Sequence, residues 1–157
     1  MITAFVEKNS VVGEIIEIKD KIELNHMKNS FRLQIGDNLR VVDGEYEYFT
    51  EIIELSKSEM ICKIIEKRED SFSAKVEIHA GIGLLKNDKM ELVIQKLVEV
   101  GVSKIIPIQM QRTIVKISEK KEKWDIIAKE ALKQCQAVKL TEITEPKALK
   151  KIDYSEY

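Results

Sequence analysis

Residues 87–116, NDKMELVIQKLVEVGVSKIIPIQMQRTIVK, constrain the fold more than any other stretch of the chain. Asp88, with Glu91 three residues on, matches a capping box and predicts a helix start. Met90, Val93, Ile94 and Leu97 recur at i, i+3, i+4 and i+7, one apolar stripe. Gly101 stands where a helix C′ residue takes a left-handed φ. Ile105, Ile106 and Ile108 then form a nearly unbroken apolar run, as in a strand covered on both faces. An apolar segment before the helix, Val76 to Leu85, completes a βαβ unit and predicts a parallel sheet. A second helix is expected from Ser118 to about Gln136. Its inward stripe is Trp124, Ile127, Ala128, Ala131 and Cys135. A short parallel strand around Leu140–Ile143 follows, and the polar tail EPKALKKIDYSEY reads as partly helical.

Residues 1 to about 70 read mostly as strand. Ala4–Glu7 reads as an edge strand, with others at Gly13–Ile18 and Asp37–Val42. Asp20 is placed to cap a short helix, KIELNHMKNSF, with Ile22 and Met27 inward. Asp43-Gly44 is a hairpin-turn signal. Tyr46, Tyr48, Thr50 and Ile52 alternate with Glu45, Glu47 and Glu51, so the glutamates are expected on the solvent face. A further strand holds Met60, Cys62 and Ile64. These short strands predict a small β-barrel. The polar run Lys67–Ser73 marks a boundary, giving domains 1–70 and 71–157 and an α+β chain overall.

Charge divides at the same place. Residues 1–70 hold 10 Lys/Arg against 15 Asp/Glu, and residues 71–157 hold 16 against 12. A phosphate partner is therefore drawn to the second region or to local basic spots on the first. Cys62 and Cys135 are far apart and in no CxxC spacing, which argues against a disulfide framework or a zinc site. The two histidines lie too far apart in sequence to read as a metal motif, and none is expected. MITAFVEKNS has no basic and apolar leader pattern, and no apolar run approaches about 18 residues. A cytoplasmic protein without a membrane span is the expectation.

Two clusters carry candidate chemistry. His26, Lys28, Asn29 and Arg32 offer several donors on one short helix end, either to RNA or simply to solvent. Arg112 and Lys116 follow the Ile105–Ile108 strand at its carboxyl end, where open α/β sheets bind ligands; an ordinary polar loop is the competing reading. Cys135, beside Gln134, reads as core packing rather than a nucleophile, His79 as a core or interface histidine, and Trp124 as an anchor packed on the sheet. Gly81-Ile82-Gly83 lacks the third glycine of a dinucleotide loop. On its residues alone the chain is a small barrel plus half of an α/β domain, with RNA as the candidate partner.

Several segments occur in a characteristic order: His26-x-Lys28-Asn29-x-x-Arg32-Leu33-x-x-Gly36-Asp37, Asp43-Gly44, Asp88-Lys89-Met90-Glu91-x-x-Ile94-Gln95-Lys96-x-x-Glu99-x-Gly101, Pro107 with Arg112, and Trp124-x-x-Ile127-Ala128-x-Glu130-Ala131-x-x-Gln134-Cys135. Together they closely resemble the RsmE family, uridine-N3 methyltransferases of bacterial 16S ribosomal RNA. The resemblance covers essentially the whole chain. It implies a PUA-like RNA-binding barrel, then a SPOUT methyltransferase domain of trefoil-knot type that binds S-adenosylmethionine in the knot and works as a homodimer. The family's Gly-Pro-Glu-Gly-Gly and Leu-Gly…Arg-Ile-Leu-Arg stretches do not occur in these 157 residues. The chain is therefore expected to be the barrel plus the first half of the SPOUT domain, with the knot region absent. The resemblance implies RNA-facing roles for His26, Lys28, Asn29, Arg32 and Lys116, and a catalytic role for Arg112. It assigns no cofactor-binding residue here and no metal. The expected function is part of an S-adenosylmethionine-dependent methyltransferase acting on small-subunit rRNA, inactive alone because the donor site is incomplete. The alternative is a stand-alone RNA-binding or assembly module. Three places depart from the family pattern: Thr3-Ala4, where an arginine is usual; Gln111-Arg112-Thr113, for Glu-Arg-Ser; and Ala137, for arginine.

Overall fold

The computed structural model describes every residue except 71, 72, 113, 153, 154, 156 and 157. Parts of the expected boundary and tail, and Thr113, therefore lie outside the described residues. The chain forms two compact units, residues 1–72 and 73–157.

The first unit is one six-stranded curled sheet around a single core. Its strands are β1 (Thr3–Phe5), β2 (Val11–Val12), β3 (Ile15–Ile18), β4 (Asn38–Val42), β5 (Tyr46–Leu55) and β6 (Met60–Glu69), in the order β1-β4-β5-β6-β3-β2. Helix α1 (Lys21–Asn25) runs directly into a π turn, His26–Ser30. The β4–β5 hairpin forms where Asp43-Gly44 predicts it. Gly44 takes φ 91°, and Asp43 Oδ1 accepts from the Glu45 and Tyr46 amides at 2.9 and 2.8 Å. Period-two alternation sends Leu39, Val41, Tyr48, Thr50 and Ile52 inward, against Met60, Cys62, Ile16 and Ile18. Register shifts at Phe49/Thr50 and Ile52/Glu54 bend the two long strands and let the sheet curl.

Three expectations for this unit change. Ile22 is 66% exposed, whereas Met27 is buried as expected and Leu24 takes the other inward position. Glu47 is buried rather than solvated, since it pairs with Arg40 on the second face of the sheet. Lys67–Glu69 is not linker but the end of β6, paired with Tyr46–Tyr48.

The second unit is a parallel sheet built on β8 (Lys104–Gln109). Strand β7 (His79–Gly83) pairs along one side, and β9 (Glu142–Ile143) and β10 (Lys147–Ala148) pair with the two ends of β8. Helix α2 (Asn87–Glu99) joins β7 to β8, and α3 (Glu122–Cys135) joins β8 to β9. The helices pack together and are tied by Lys123–Glu91 and Lys121–Asn87, both at 2.8 Å. Met90, Ile94 and Val98 are buried on α2, and Gly101 ends it with φ 80°. Ile105 through Ile108 are all buried, as a two-sided strand requires.

Here too the structure corrects details. Lys86, not Asp88, holds the N-cap position of α2 and makes no side-chain cap bond. Asp88 is already inside the first turn, where its charge complements the helix dipole instead. The strand expected from Val76 shortens to His79–Gly83, with Val76 and Ile78 exposed. Helix α3 begins at Glu122, because the Lys120 amide is turned away to Glu145 Oε2 at 2.6 Å. Cys135 is exposed at the helix end, and Leu132 completes the buried stripe with Trp124, Ala128 and Ala131. Among the described residues the tail adds β10 and a 3-10 turn, Leu149–Lys151, so it is helical in part.

Candidate nucleic-acid interface

The helix-end cluster of the first unit is shaped by how α1 stops. Asp20 caps its start, with Oδ1 accepting from the Ile22 and Glu23 amides at 2.8 and 2.9 Å. At the other end the Phe31 amide donates to the His26 carbonyl at 3.3 Å, and the Leu33 amide to the Met27 carbonyl at 3.2 Å. These wide bonds need a left-handed residue between them, and Arg32 supplies it with φ 54°. For a non-glycine residue that conformation is uncommon and is held by its surroundings. The anchors are Met27 and Leu33, both buried in the core.

The turn therefore presents Asn29, Phe31 and Arg32 to solvent on a fixed base. His26 is half-buried, its ring 4.7 Å from that of Phe31 and tilted by 42°. Lys28 is partly committed: its ammonium donates to the Ser56 carbonyl, tying the helix end to the β5–β6 turn. That turn carries Lys57, which is exposed. All four predicted residues of this cluster thus lie on one short segment. Sequence reasoning missed Phe31 and Lys57. An aromatic residue beside Arg32 in the same segment was a usable signal for the first; the second depends on a contact across 28 positions.

The second cluster lies at the carboxyl ends of β8 and β10. A cleft of about 780 Å³ opens there, with Met110, Ile117 and Leu149 as apolar lining and Lys116 and Lys150 as charged lining. The Gln109 side-chain Nε2 donates to the Val115 carbonyl at 3.3 Å, which ties Val115 to the end of β8. Lys116 is exposed and lines the cleft; Arg112 is exposed on the same loop but is not part of the lining. The predicted pair is therefore split between wall and loop. Of the two β7 glycines, only Gly81 is at a close approach. A Cβ on Gly81 would sit 2.9 Å from Ile108 Cδ1, and one on Gly83 would sit 3.6 Å from Met110 Cγ. Neither Trp124 nor His79 lines the cleft: Trp124 is buried, and His79 lies 3.5 Å from Glu77.

Comparison with known proteins matches residues 72–156 to the RNA methyltransferase domain family and residues 18–65 to the RNA methyltransferase PUA domain. Ribosomal RNA small subunit methyltransferase E of Bacillus subtilis is 34% identical over 118 residues, which is 71% of this chain and 46% of the relative. The protein of the same name from Buchnera aphidicola of Acyrthosiphon pisum is 29% identical over 152 residues, 86% of this chain and 60% of the relative. The chain thus spans roughly half of the curated relatives it matches, 46% and 60% in these two. A solved Legionella pneumophila methyltransferase in complex with SAM superposes with a TM-score of 0.82 at 26% identity, covering 94% of this chain and 63% of that one. Ribosomal RNA small subunit methyltransferase E from Neisseria gonorrhoeae, bound to S-adenosyl methionine, has a TM-score of 0.83 at 21% identity over 98% of this chain and 67% of its own. At that identity it supports the fold alone. The chain belongs to the RNA methyltransferase family, among relatives named ribosomal RNA small subunit methyltransferase E.

Proposed function

We propose that this chain supplies the RNA-binding unit and the nucleotide-facing side of an S-adenosylmethionine-dependent methyltransferase. Its substrate is 16S rRNA in the cytoplasm, and the reaction methylates N3 of a uridine. One observation carries this reading beyond family membership. The cleft at the strand ends joins apolar walls to Lys116 and Lys150, a combination suited to a base with its phosphate.

N3 lies on the Watson–Crick edge, so the uridine must be unpaired or flipped to react. Loss of the N3 proton leaves negative charge on the ring. Arg112, on the loop beside the cleft, supports that charge, and Lys116 holds the phosphate. His26, Lys28, Asn29 and Arg32 face the RNA from the first unit. A homodimer is the assembly this reading expects, and light scattering giving only monomer mass would contradict it.

The methyl donor carries a sulfonium cation, and the cleft offers that cation no counter-charge. Among the described residues its lining has two lysines and no acidic side chain. Donor contacts are therefore assigned to none of these residues. The same observation favours a second reading, an RNA-binding or assembly module acting without catalysis. Calorimetry with S-adenosylmethionine addresses this point: the 157-residue chain should give no micromolar binding, and micromolar binding would place donor contacts within it.

Filter binding of 16S rRNA across salt concentrations tests the RNA-facing assignment. Lys116→Ala should lower the magnitude of the salt slope by about one, as for one lost phosphate contact. An unchanged slope would remove Lys116 from the interface. In a polypeptide that turns over, Arg112→Ala should lower kcat roughly a hundredfold; unchanged turnover would remove its catalytic role.

A further inference from the structure

We infer that Phe31, backed by His26, is a stacking platform for an unpaired nucleobase of a single-stranded RNA segment. This rests on the reading of the first unit as RNA-binding, and adds a residue and a mode of contact to it. Phe31 is 42% exposed although it is a large apolar side chain beside a well-filled core. Its neighbours explain the direction. Leu33 is buried, and the left-handed Arg32 between the two residues redirects the chain. The ring is held by the tilted contact with His26, at 4.7 Å between centroids. A ring fixed before binding loses little rotamer freedom when a base stacks on it.

The surroundings suit RNA. Arg32 and Asn29 are exposed on the same turn, and the Lys28 bond to Ser56 joins this turn to the one carrying Lys57. Residues 24–36 hold Lys28 and Arg32 and no carboxylate, Glu23 is buried, and the other flanking carboxylates make local contacts. Asp20 caps α1, Asp37 Oδ2 accepts from the Gln34 amide at 2.8 Å, and Glu59 lies 4.0 Å from Lys19. In a region holding 15 acidic residues against 10 basic ones, this is a local cationic spot with an aromatic face at its centre. Base stacking on an aromatic ring with cations tracking the backbone is how proteins bind single strands without reading sequence.

The test titrates the full chain with a short single-stranded RNA carrying one 2-aminopurine. The expected result is fluorescence quenching on binding and, for Phe31→Leu, a loss of affinity of about tenfold or more with reduced quenching. The salt slope should stay as in wild type, because no phosphate contact is lost, and Phe31→Trp should restore both affinity and quenching. Arg32→Ala should instead lower the magnitude of the slope by about 0.7. Wild-type binding and quenching that Phe31→Leu leaves unchanged would overturn the platform while leaving RNA binding intact. Absence of binding by the wild-type chain would overturn both.

Discussion

Arg40 Nε donates to Glu47 Oε2 at 2.8 Å, diagonally across the β4–β5 hairpin, with both residues less than a tenth exposed. A charge pair so enclosed is costly to break from one side, because the remaining charge loses its partner without regaining water. Glu47→Ala should therefore destabilise the first unit by about 3–5 kcal/mol in chemical denaturation. A loss below about 1 kcal/mol would show that water reaches the pair.

Two groups in the same core set an alkaline limit. Burial pushes the Cys62 thiol from 9.0 up to about 11, partly opposed by its hydrogen bond with Thr50. Burial and the hydrogen bond to Asp43 push the Tyr48 hydroxyl above its usual 10.0. Both folded values are raised, so between the unfolded and folded values the unfolded chain has lost protons that the native one keeps. Stability from these groups is full below about pH 9 and falls as pH rises through 11. Denaturation curves from pH 7 to 11 should show this fall, and Cys62→Ala should flatten it above pH 9. In the native protein at pH 8, iodoacetamide should label the exposed Cys135 well before Cys62.

Gly81 and Ile108 share a face across the parallel β7–β8 pair, and the glycine leaves room for the isoleucine Cδ1. Gly81→Ala should cost about 1 kcal/mol through overpacking. Adding Ile108→Val removes the obstructing methyl. The double variant should then be more stable than the sum of the single losses implies, a coupling measurable by denaturation. Strict additivity would show that the isoleucine simply rotates away.

What could be read from the sequence was local. The α2 stripe, the Gly101 stop, the apolar β8 and the Asp43-Gly44 turn each depend on residues a few positions apart, and each formed. Glu47 could not be placed by alternation, because its partner Arg40 lies on another strand and period two only says which face a residue takes. Asp88 failed as a cap because the helix begins at Asn87, and a two-residue shift moves a cap into the first turn. At the candidate interface the residue types of 26–32 were visible. Their arrangement was not, since a π turn closed by a left-handed arginine has no sequence signature as clear as Gly101. Lys28 looked like a free donor until Ser56 was folded against it. The cleft needs β10, which a polar tail did not announce.

Ultraviolet cross-linking of the 157-residue chain to 16S rRNA, with cross-linked peptides mapped by mass spectrometry, tests the central claim most directly. The claim predicts adducts within residues 26–33 of the first unit and 110–118 of the second. Adducts confined to other surfaces, or none under conditions where the chain is folded, would contradict it.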